Sequence, residues 1–216
     1  MKFPSAFSGV KKIWLAEILM LLAAVLSIVL IIVVAVNGTM EGEEIIVSET
    51  VKGIAGGITI ATALIALVAF VLNLIGLISA RKDEESFGKA LLFTLLGIIA
   101  SVVSSVWSGN TRLVKSMEVV TTLCNLFASY YVLTGIANLS DAYPDALTKA
   151  TALKSRQLLV YTFCATAVFK CVITLFNIPE GSTFYNILGF VALGLELGSY
   201  VLYLRALSKG KKMLEA

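Results

Sequence analysis

The chain has 216 residues, of which 58% are hydrophobic and 14% charged, with a formal charge of +3 and no histidine. A soluble domain of this length needs about 25% charged residues to cover its surface, so a water-soluble globular fold is excluded, and so is disorder. The lack of histidine removes histidine bases, His-containing zinc sites and haem-ligating histidines, and Cys124, Cys164 and Cys171 follow no metal spacing. No cofactor, no metal and no nucleic-acid partner are expected; the cysteines read as small buried hydrophobes.

The composition fits an all-α integral membrane protein, a single transmembrane domain over 1–216 built as a compact bundle of six helices. The first span is expected at 13–36. Before it, Phe3, Phe7, Val10 and Trp14 recur at helical spacing beside Lys11 and Lys12, which predicts a short interfacial helix leading into the span. The apolar run is too long for a cleavable signal peptide. Asn37-Gly38-Thr39 matches a glycosylation acceptor and opens an acidic loop with Glu41, Glu43, Glu44 and Glu49.

The second span is expected at 53–80, uncharged throughout, and the third at 90–107, where Ser101, Ser104, Ser105 and Ser108 supply a small face for helix packing. The fourth, 113–139, carries a polar stripe of Glu118, Thr121, Thr122, Asn125 and Ser129. After Pro144, the stripe Ala146, Leu147, Ala150 and Leu153 predicts an amphipathic cytoplasmic extension of the fifth span, 157–176. In that span Thr162, Thr166, Lys170 and Thr174 fall four apart, on one helical face. The sixth, 183–204, holds Glu196, Tyr200 and Tyr203 on one face, and Gly194 and Gly198 four apart, a spacing that permits close helix approach.

Thirteen of the seventeen basic residues fall on segments that alternate connection would bring to one side. The excess of Lys and Arg places both termini in the cytoplasm of a cell-membrane protein. Charged groups inside a bilayer are costly and face an interior or a wet cavity. Lys170, Glu196, Glu118, Asn125, Thr166, Thr162 and Tyr200 are therefore expected to line a polar interior formed by the last three helices, with Lys170 paired to Glu118 before Glu196. Gly194, Gly198, Ser101 and Ser105 are expected to pack helices.

No metalloprotease, nucleophile-elbow, Walker or dinucleotide motif is present, so an enzyme is not expected. The leading expectation is transport or capture of a small charged or zwitterionic solute, with the chain acting alone or as the substrate-binding subunit of a larger transporter. The layout is similar to that of the membrane subunits that bind substrate in energy-coupling transporters, a likeness of layout without a motif. The alternative is a noncatalytic subunit that assembles with a membrane-protein partner or with its own copies; an oligomeric channel comes third.

Overall fold

The computed structural model describes residues 2–41, 44–46, 48–107, 109, 111–143, 146–175 and 182–215, with side chains at all of these except 39–41, 44–46, 111, 112, 115, 170–175, 184 and 185. Among the described residues the chain forms six helices and one hairpin. These are α1 (Pro4–Asn37), β1 (Thr39–Glu41), β2 (Glu44–Ile46), α2 (Glu49–Ala80), α3 (Glu85–Val106), α4 (Thr111–Ser140), α5 (Ala146–Leu175) and α6 (Thr183–Glu215). Within the described residues α1, α2, α3, α4 and α6 are long and apolar enough to cross a membrane. The 30-residue α5 is long enough as well, but Lys149, Lys154 and Arg156 make its first half more polar.

Two local features depart from the sequence reading. The amphipathic segment before the first span is no separate interfacial helix: Pro4 opens a helix that runs unbroken to Asn37, and the fixed φ of proline suits that first turn. The acidic connection contains an antiparallel strand pair, Thr39 opposite Ile46 and Glu41 opposite Glu44. Its Thr and Ile residues are β-branched and favour extended backbone, a preference masked in sequence by the surrounding acids.

The chain divides into two units. Residues 11–76 hold most of α1, the hairpin and most of α2. Their apolar side chains lie open, with Ile31 65% and Ile60 64% exposed. Such exposure in water would forgo about 25 cal/mol for every Å²; lipid removes the cost, so the surface fits a bilayer.

Residues 1–10 and 77–216 form the second unit. There α3 packs on α4, α4 on α5 and α6, and α5 on α6. The buried core is concentrated at one end of these helices, where Phe87, Leu133, Ile136, Leu207 and Leu214 are fully enclosed. At about 1.5 Å per residue the 33 residues of α6 span about 50 Å, against about 30 Å of hydrocarbon. The helix is therefore longer than a bilayer is thick, and its last turns bury Leu207, Met213 and Leu214 in that terminal core.

Polar contacts close the same end. The Asp83 carboxylate accepts from the Ala6 backbone N–H at 2.7 Å, satisfying an orphan donor in the first turn of α1 and complementing its dipole. Lys2 Nζ donates to the Ala142 carbonyl at 3.1 Å and sits 5.6 Å from the Tyr143 ring centre. Lys149 pairs with Asp141, and Lys209 Nζ donates to Thr151 Oγ1 at 3.0 Å. Lys2 and the last turns of α6 thus lie at the same end of this unit.

Glu84 caps α3. Its Oε1 accepts from Ser86 Oγ at 2.8 Å, from Asn138 Nδ2 at 2.9 Å and more weakly from the Ser86 N–H at 3.4 Å. It therefore ties the start of α3 to the end of α4. Replacing Glu84 by Ala removes the cap and leaves the exposed Asn138 amide with Ser86 Oγ at 3.4 Å; a loss of about 0.5–2 kcal/mol is expected, measured by reversible unfolding in mixed micelles. An unchanged midpoint would mean that water replaces all three bonds.

Candidate functional site: a cavity between three helices

Away from the terminal core, α4, α5 and α6 separate enough to leave a cavity of about 420 Å³. From α4 it is lined by Glu118, Val119, Thr122, Asn125, Leu126 and Ser129; from α5 by Leu159, Thr162, Phe163, Thr166 and Ala167; from α6 by Glu196. The volume falls within the range of small-molecule pockets, about 300–1,000 Å³. Its wall mixes apolar side chains with carboxylate, amide and hydroxyl groups, which arises because α4 and α5 each turn a polar row inward and α6 adds Glu196.

The contacts below the cavity set its register. The Ile136 side chain lies against Gly210, where an added Cβ would come within 3.0 Å of it. Ser155 Oγ donates to the Leu202 carbonyl at 3.1 Å. Counting outward along the helices from these contacts, Glu196 stands level with Thr122 and Thr162. Glu118 stands about one turn further out, an axial offset of about 6 Å.

The hydroxyls differ in their commitments. Thr122 donates to the Glu118 carbonyl at 2.8 Å, and Thr166 to the Thr162 carbonyl at 3.0 Å. Each thereby spends its proton on its own helix. Thr162 is only 6% exposed, and its Oγ1 has no hydrogen-bond partner. A buried hydroxyl without a partner forfeits about 1–3 kcal/mol. Replacing Thr162 by the near-isosteric Val is therefore expected to leave the empty protein as stable as before or more stable by up to about that amount, read from its thermal unfolding. A marked loss of stability would mean that the hydroxyl is bonded in the folded state.

Glu118, Asn125, Thr162, Thr166 and Glu196, all expected at a polar interior, come together on this wall. Tyr200 does not line it; the ring lies 6.5 Å from that of Tyr203. The side chain of Lys170, and with it the expected Lys170–Glu118 pair, lies outside the described residues. Cys124 is buried, as expected, but Cys164 is exposed, because it falls on a different face of α5 from Thr162 and Thr166. Cys171 lies outside the described side chains.

The expected packing residues separate into two groups. Ser101 Oγ lies 3.5 Å from Thr121 Oγ1 across α3 and α4, and Ser105 Oγ donates back to the Ser101 carbonyl at 3.0 Å. Gly194 and Gly198 make no close helix contact among the described residues, since a Cβ added to either meets nothing within 4 Å. Close approach in this unit is made instead at Gly97, Gly135 and Gly210. The sequence reading also passed over the apolar cavity row Leu159, Phe163 and Ala167. These residues are four apart beside the threonines, a spacing that a search for polar stripes does not pick out.

No protein-family model matches the chain, nor does any curated protein or solved structure.

Proposed function

We propose that this chain is a multi-pass protein of the cell membrane that captures a small polar solute in the α4–α6 cavity, as a transporter or as the binding subunit of one. In this reading all six helices span the bilayer and both termini are cytoplasmic. The topology rests on the excess of Lys and Arg on the segments that alternate connection brings to one side. The capture reading rests on one observation: a cavity of about 420 Å³ whose wall carries polar groups from three helices. In a helix surface made only to meet lipid, these groups would be a cost with no return. No catalytic step is assigned to the cavity.

The test is ligand-retaining purification in mild detergent followed by mass spectrometry. Wild-type protein is expected to carry a small molecule close to one per chain. Ala167→Trp, which fills the cavity, should carry none and still span the membrane. Equal recovery from both proteins would remove the cavity from the function. For topology, single cysteines at Lys2 and Lys211 in an otherwise cysteine-free chain should label only from the cytoplasmic side, and one at Glu43 only from outside.

A second reading, a noncatalytic partner subunit, is favoured by the open glycine face of α6. Gly194 and Gly198 are exposed with free space beside them. In a chain with no neighbour on that face, Gly194→Ala and Gly198→Ala should raise stability by up to about 1 kcal/mol through helix propensity. A loss of assembly with either variant would support a partner helix there.

A further inference from the structure

We infer that the solute taken by the α4–α6 cavity is an organic cation, held through an ammonium group by Glu118 and Glu196. The cation assignment rests on solute capture in this cavity and adds the charge and the contacts.

The described wall carries two carboxylates and no basic side chain. Neither carboxylate takes part in an ion pair among the described residues. Two carboxylates on one wall favour a counter-charge between them, and the cavity leaves space for one to enter. Thr122 and Thr166 have given their protons to backbone carbonyls, so toward the cavity they offer lone pairs only. Asn125, Ser129 and Thr162 keep donors as well as acceptors, so the bias of the wall toward a cation comes from its two carboxylates.

An ammonium group is the complement of such a wall, with three donors and no acceptor. One tetrahedral nitrogen that donates to two carboxylates at about 2.8 Å each spans about 4.6 Å between their oxygens. Glutamate side chains are long and flexible enough to take up the axial offset of about one turn between Glu118 and Glu196. The orphan hydroxyl of Thr162, level with Glu196 and buried in the wall, supplies a further acceptor. Phe163 and the apolar row Leu126, Leu159 and Ala167 suit the carbon body of the solute, and an aromatic face adds attraction for a cation. An anionic solute would meet two like charges.

The experiment uses three probes with one shared body: 2-phenylethylammonium, 2-phenylethanol and 3-phenylpropanoate. Each is titrated into the full-length chain in lipid nanodiscs, with binding followed by calorimetry. The ammonium is expected to bind at least tenfold more tightly than the alcohol, and the carboxylate not to bind. Glu196→Gln and Glu118→Gln should each weaken the ammonium by about ten- to a hundredfold, the range for losing a charge-assisted hydrogen bond. They should leave the affinity for the alcohol within about threefold. Thr162→Val should weaken the ammonium without lowering the unfolding temperature of the empty protein.

Tighter binding of the alcohol or the carboxylate, abolished by Ala167→Trp, would overturn the cation assignment and leave solute capture standing. Equal ammonium affinity in wild type and both glutamine variants would overturn the two-carboxylate clamp. Binding of none of the three probes, with no small molecule recovered on purification, would overturn capture and the cation together.

Discussion

Replacing Phe87 by Ala should cost about 3–5 kcal/mol, the largest effect of any single truncation proposed for this chain. The ring is fully buried at the start of α3, directly over Gly135 of α4. Truncation removes the transfer energy of the ring and leaves a cavity that rigid helices on both sides cannot collapse. The ring is enclosed by protein in the terminal core, so its lost contacts and the cavity left behind set the cost. Equilibrium unfolding in mixed micelles measures the loss. A cost below about 1 kcal/mol would mean that α3 and α4 part there with little penalty, and the terminal core could not be what holds this unit together.

Gly135→Ala should also destabilise, by about 1–3 kcal/mol, for the opposite reason. An added Cβ would lie 2.6 Å from Phe87 Cε2 and 2.8 Å from Cζ. The enclosed ring has no free space to turn into, so the strain is shared by rotamer and backbone, as in any overpacked core. Helix propensity alone would favour alanine by about 1 kcal/mol. A net loss therefore identifies the clash, and a net gain would refute it. The pair should couple: Phe87→Leu, which removes the ring atoms nearest the new methyl, is expected to recover part of the loss in the double variant. Simple additivity of the two changes would show that the contact is not made.

These residues also mark where sequence reasoning stopped. Gly135 sits in a helix whose polar stripe drew attention to Glu118 and Asn125, and nothing in its immediate neighbours announces a phenylalanine forty-eight residues earlier in the chain. The glycines that did stand out, Gly194 and Gly198, have open space beside them. Spacing says that a helix can be approached closely; it does not say by what. The acidic loop concealed a strand pair for a related reason, since pairing is a property of two segments and composition describes one.

The sequence by itself determined the solvent of this protein and its helices. A chain with 58% hydrophobic residues and 14% charged cannot cover itself in water, and long uncharged runs have few ways other than helices to satisfy their backbone in lipid. It also determined which face of α4 and of α5 is polar, because that follows from a period of 3.6 residues. What the tertiary structure decided is how those faces meet. It brought Glu118 and Glu196 to one wall and left the Thr162 hydroxyl of that wall without a partner. It also left Tyr200 off the cavity wall, with its ring 6.5 Å from that of Tyr203. Such outcomes depend on helix rotation and axial register, which are set by a few side chains in contact, such as Ile136 on Gly210 and Phe87 on Gly135. Those contacts join residues distant in the chain, and the periodicity of a single helix carries no information about them.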